Sequence, residues 1–247
     1  MPKIVARACL ATQILAVCIV PCGAFADSQR LWLGGLEGSE TQAFIPEGAD
    51  DNDLPRDYRG LVGRSIFLLG QDGKRATGKV ARIDASSGAC LPSIDLREPL
   101  EIAPKQFFLG STQAIKVAPS REIDPNDERL SRGLLAYLHG LGVPVAAVKV
   151  IRAVAADLDG DGRVEAVVEA RRPNRDYLDG SQSEQADDFS GVAVGELTAS
   201  GFTVRGYAGY TSSISVKGSD QDPPAVYSIV ALPDVQGTGK FGIAIAN

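Results

Sequence analysis

The stretch Asp157–Ala170, DLDGDGRVEAVVEA, limits what this chain can fold into more than any other. It packs four carboxylates into nine residues, threads two glycines between them and runs directly into apolar residues. Glycine tolerates the backbone angles of a tight curl, so alternate acidic side chains can wrap around one point. Left alone, carboxylates that close repel one another. Asp157, Asp159, Asp161 and Glu165 can offer carboxylates to one hard cation, and Arg163 its backbone carbonyl. Calcium, which takes six to eight oxygen ligands in flexible geometry, suits such a set. The flanks, VAAVKVIRAVAA before and RVEAVVEARR after, are rich in β-branched and small apolar residues and read as strands. The segment is therefore a loop inside a β-hairpin. The bland alternative is an Asp-Gly turn that holds no ion.

Other calcium loops fit less well. The twelfth residue from Asp157 is Val168, where an EF-hand needs a bidentate Glu, and the flanks lack helical character. Nothing repeats at nine residues. The stretch resembles the loop-and-strand core of FG-GAP/VCBS-type repeats, as in integrin-like propellers, where Asp-x-Asp-Gly-Asp-Gly-x-x-Glu/Asp precedes an apolar strand. The resemblance covers about 14 residues. It implies calcium coordination by the side chains of Asp157, Asp159, Asp161 and Glu165 and by the Arg163 carbonyl. A degenerate second copy is expected at Asp234–Asn247, DVQGTGKFGIAIAN, with glycines again at the fourth and sixth positions and a basic residue at the seventh. There Gln236, Thr238 and Gly242 stand where acids stood. Chance similarity between glycine-rich hairpins is the competing reading. Two copies cannot close a propeller, which needs about four blades.

The N-terminus carries Lys3 and Arg7, a short apolar run and Ala24-Phe25-Ala26, the form of a secretory signal peptide cut after Ala26. A retained anchor or a lipid on Cys18 or Cys22 are alternatives, disfavoured by the short run and by Val17 and Pro21 before those cysteines. Cleavage removes Cys9, Cys18 and Cys22 and leaves Cys90 alone, so no internal disulfide is expected. Cys90 reads as a small buried residue. The net charge of −6 and the lack of a basic run argue against nucleic acid, and against a membrane surface once the signal is gone.

The rest divides into three. Residues 27–59 are Gly- and acid-rich and read as exposed, above all EGADDNDLPRD at 47–57. Residues 60–119 read as a small β-rich unit: RSIFLLG and ATGKVARID joined by a QDGK turn, then a strand pair in PKQFFLGSTQAIKVAP. Residues 120–247 combine a helix, at about 125–141, with further strands and the acidic loop. Asp124 is the expected cap, Pro125 the first helical residue, and Leu130, Leu134, Leu138 and Leu141 the apolar face. Gly140, Gly142 and Pro144 end it, and His139 is placed to meet the last carbonyls. Strands follow in SGVAVGEL, GFTVRGYAGY and SISVKG. The fold class is α+β, mostly antiparallel β with one main helix and a β-hairpin calcium loop, and not a complete propeller.

These features favour a secreted or periplasmic module, stabilised by one structural Ca2+, over an enzyme. Residues 171–190 and 205–223 would present a surface to a protein or glycan ligand. With one histidine in the chain, His-based metal sites and Ser-His-Asp triads lose their basis. The alternative is a secreted hydrolase using acidic pairs such as Asp187-Asp188 or Glu184 with Asp187. Ser190 sits in no nucleophile elbow. Tyr207 and Tyr210 beside Gly206 and Gly209 read as strand packing before they read as a sugar platform.

Overall fold

The computed structural model describes residues 32–36, 40–43, 60–84, 93–97, 107–174, 188–211, 226–234 and 237–246. These fall into two compact units, divided between Ala114 and Ile115. Thirteen strands and one helix are described, and every strand pairing is antiparallel. The α+β expectation therefore holds, with no propeller among the described residues. No helix among them is long and apolar enough to cross a membrane. The expected signal peptide, the 47–57 segment and Cys90 lie outside the described residues.

The first unit is a six-stranded sheet closed on itself. Its strands are β1 (Trp32–Leu36), β2 (Glu40–Ala43), β3 (Ser65–Gly70), β4 (Arg75–Asp84), β5 (Ser93–Leu96) and β6 (Phe107–Ser111). They run in the order β1-β2-β5-β4-β3-β6, and β6 pairs back onto β1. Closure removes free sheet edges. Ile66, Leu68, Val80 and Leu109 are buried. The expected QDGK turn joins β3 to β4: Gly73 takes φ +80°, and Asp72 accepts from the Lys74 amide at 3.0 Å. Two strands, β1 and β2, come from the segment the sequence placed outside the β-rich unit. The expected strand pair in residues 104–119 is a single strand, β6. Its second half, from Ile115, belongs to the other unit, where Ala118 N donates to Leu232 O at 2.8 Å.

The second unit is layered. Its centre is a five-stranded sheet in the order β11-β10-β9-β8-β7, formed by β7 (Ser120–Glu122), β8 (Lys149–Ala156), β9 (Glu165–Arg171), β10 (Phe189–Leu197) and β11 (Phe202–Thr211). On one face lies α1 (Glu128–Gly140), and on the other a hairpin of β12 (Ser228–Ala231) and β13 (Ala244–Ala246). This explains the largely apolar sequences of β8 and β9. A strand covered on both faces buries side chains in both directions, so Ala166, Val168 and Ala170 meet the helix while Val167 meets the hairpin.

The helix buries Leu130, Leu134 and Leu138 completely, four residues apart on one face. It starts later than expected. Asp127 is the N-cap and accepts from the Arg129 amide at 3.0 Å, whereas Asp124 accepts from the Asn126 amide in a turn that holds Pro125 ahead of the helix. Leu141, expected on the apolar face, is exposed as the C-cap, and Gly142 at φ +80° turns the chain away. His139 reaches past the last turn to Val145 O, at 2.7 Å. Gly133 sets how closely helix and sheet approach, because a Cβ there would collide with the backbone of Phe202.

Candidate functional site

The acidic loop connects β8 to β9, inside a hairpin as the sequence required. Gly160 and Gly162 take φ of +78° and +84°, the left-handed region in which glycine avoids a Cβ clash. These turns fold the loop back over Asp157. Its Oδ1 accepts from the Gly160 amide at 2.8 Å and its Oδ2 from the Gly162 amide at 3.0 Å. Asp159 accepts from the Asp161 amide at 3.1 Å, and Asp161 from the Arg163 amide at 2.7 Å. Glu165, the first residue of β9, accepts from the Leu158 amide at 2.9 Å and so ties the end of the loop to its start.

Three of the expected ligand side chains converge. Carboxylate oxygens of Asp157, Asp159 and Glu165 lie within 4.8 Å of one another. Calcium–oxygen distances are about 2.3–2.6 Å, so two ligands of one ion sit up to roughly 5 Å apart, and the triplet fits a shared Ca2+. Asp157 and Glu165 are half-buried and Asp159 is exposed. Asp161 stands outside the triplet, its carboxylate turned to the Arg163 amide, and Arg163 itself is exposed. The donor set is all hard oxygen, which is the chemistry calcium or magnesium selects.

The stretch from Asp234 repeats this backbone device. Gly237 and Gly239 take φ of +73° and +79°, again at the fourth and sixth positions. Asp234 Oδ1 accepts from the Thr238 amide and its Oδ2 from the Gly239 amide, both at 3.0 Å, as Asp157 holds its own sixth-position amide. Thr238 Oγ1 meets the Lys240 amide at 3.4 Å, where Asp161 meets that of Arg163. Asp234 is only 3% exposed, so among the described residues a buried carboxylate holds the amides of this second loop. The two loops also touch, since Phe241 N donates to Leu158 O at 2.7 Å.

The residues weighed for hydrolysis are otherwise engaged where they are described. Asp188 is fully buried and paired with Arg172 at 3.0 Å. Ser190 is buried, and its Oγ accepts from the Tyr227 amide at 2.9 Å. Glu184 and Asp187 lie outside the described residues, as does SISVKG. Tyr207 packs its phenol over the Gly191 and Gly209 backbones and lies 6.0 Å from the Tyr137 ring, which is strand packing.

A second polar group on the sheet went unnoticed in the sequence. Glu169 lies in the middle of β9, only 7% exposed, on the face covered by the C-terminal hairpin. Its Oε2 accepts from the Ile229 amide at 3.0 Å and its Oε1 from Ser228 Oγ at 3.2 Å. Burial pushes its pKa up; these two hydrogen bonds, and the charges of Arg171 and Arg152, pull the other way. The signal was an acid inside an otherwise apolar strand, which in a strand covered on both faces must be buried and partnered. Compared with known proteins, the chain matches no family model, no curated protein and no solved structure.

Proposed function

We propose that this chain is a secreted or periplasmic structural or binding module in which the Asp157–Glu165 loop holds one structural Ca2+. The observation that carries this is the convergence of the Asp157, Asp159 and Glu165 carboxylates within 4.8 Å. The ion would relieve their mutual repulsion and complete its shell with the Arg163 carbonyl, water and the Asp161 carboxylate, which would have to turn from the Arg163 amide on binding. Leu158 spreads the benefit: its amide is held by Glu165 and its carbonyl by Phe241, so ordering the loop also orders the segment that leads into β13. Residues 1–26 supply the export signal in this reading, and calcium outside the cytoplasm suffices for a weak site. The loop-and-strand likeness to FG-GAP/VCBS-type repeats supports the same ligand roles.

The test is thermal unfolding of the mature protein in EDTA and in millimolar calcium. At ten times the dissociation constant, linkage adds about 1.4 kcal/mol of stability. A rise in midpoint that disappears in an Asp159→Ala, Asp161→Ala variant supports the proposal, and an unmoved midpoint at several millimolar calcium rejects it.

A further inference from the structure

The C-terminal hairpin is fastened to the sheet through its main chain. Three neighbouring strands each contribute one polar side chain to residues 227–229. Ser190 of β10 accepts from the Tyr227 amide at 2.9 Å. Glu169 of β9 takes the Ile229 amide and the Ser228 hydroxyl. Arg152 of β8, directly opposite Glu169 in the sheet, reaches Ile229 O at 3.5 Å while its Nη2 pairs with Glu122 of β7 at 3.0 Å. Apolar contacts fill the rest of this interface: Val154, Val167, Val192 and Ala208 from the sheet against Ile229, Leu232, Ile243 and Ile245. Apolar packing holds the layer at every pH.

We propose that Ser190, Glu169 and Arg152 form a latch on the C-terminal hairpin, and that loss of the Glu169 proton loosens it. In the docked state the carboxyl is shut away from water between two layers, which penalises its charged form. A protonated carboxyl still serves both partners: its carbonyl oxygen accepts from Ile229 N–H, and its hydroxyl donates to Ser228 Oγ. Opening hydrates the group and removes the penalty on its charged form, so opening from the protonated state favours release of the proton to solvent. Among the described residues, the charged groups facing Glu169 are Arg152 from β8 and Arg171 from its own strand. From β10 it is met by Val192 and from β12 by Ser228 and Ile229, with Tyr227 just before; β13 (Ala244–Ala246) brings no titratable side chain.

The sign follows from the direction of the shift. The docked carboxyl binds its proton more tightly than the hydrated one, so docking is strongest below the ordinary carboxylate pKa and weakens as pH rises through the docked value. Each pKa unit between the two states changes the opening equilibrium about tenfold. The experiment is amide hydrogen exchange of the full chain from pH 4.5 to 8, corrected for intrinsic rates and run in EDTA so that loop-bound ions do not enter. Protection of Tyr227 and Ile229 should fall as pH rises, while that of Val167 in the central sheet stays level. Glu169→Gln keeps one acceptor and one donor without a charge, and should hold protection high and flat. Carbon-13 NMR of the wild-type Glu169 carboxyl should titrate with the same midpoint, a readout that needs no variant. Flat protection in the wild type, a slope that survives in Glu169→Gln, or a carboxyl midpoint unrelated to the exchange profile would each overturn the latch.

Discussion

Replacing Gly133 with alanine sets two physical effects against each other, and the structure decides between them. In an exposed helix interior, Gly→Ala gains about 1 kcal/mol from helix propensity. Gly133 faces the sheet instead. A Cβ there would stand 2.9 Å from both the carbonyl carbon and the Cβ of Phe202, and closer still to the carbonyl oxygen. Comfortable contact needs about 3.5 Å or more, so helix and strand must part by at least roughly 0.6 Å. The neighbour is mostly backbone, fixed by the pairing of Phe202 with Leu197, and cannot swing aside as a side chain would. Parting the layers loosens Leu130 and Leu134, both fully buried in that contact. Overpacking of this kind costs about 1–3 kcal/mol, and backbone contact places it at the upper end, so a net loss of about 2 kcal/mol remains after the propensity gain. Gly140, at the end of the same helix, has nothing within 4 Å of an added Cβ and serves as the control. Urea unfolding of both variants should show Gly133→Ala shifted to lower denaturant and Gly140→Ala unchanged or slightly stabilised. Equal midpoints for the two would refute the claim that Gly133 sets the helix–sheet distance.

Two further substitutions probe the polar interior. Asp188→Ala removes a fully buried carboxylate paired with Arg172, whose side chain is 26% exposed, and should cost about 3 kcal/mol by urea unfolding, the low end for breaking a buried pair; a loss below 0.5 kcal/mol would contradict it. Asp234→Ala removes the acceptor of the Thr238 and Gly239 amides from a buried position, and should cost about 1–3 kcal/mol while leaving calcium binding intact; a loss of calcium binding would show that the second loop is not the self-closed one.

The parts of the fold legible in the sequence are those where a local pattern has one structural solution. The leucines of α1 repeat at a helical spacing, the QDGK turn joins two apolar runs, and the glycines of DLDGDG demand a curl between strands. The helix start was misplaced by three residues because Asp124 and Asp127 are both competent caps, and only tertiary packing selects the second. β1 and β2 were missed because WLGGL and ETQA carry no alternation, and the closed sheet that needs them is built from pairings distant in sequence. Residues 116–118 follow β6 closely in sequence yet pair with residues 232–234, a partner no local reading supplies. Within the loop, spacing placed five ligands on equal terms. The fold brings carboxylate oxygens of Asp157, Asp159 and Glu165 within 4.8 Å of one another, while Asp161 stands outside that triplet with its carboxylate on the Arg163 amide.

Calorimetric titration of the mature protein with calcium tests the central claim most directly. The account predicts one ion per chain with a dissociation constant of about 10⁻⁴–10⁻³ M, lost in Glu165→Gln and Asp159→Ala and kept in Asp234→Ala. A folded protein that takes up no calcium at several millimolar, or that binds equally well without Asp159 and Glu165, would contradict it.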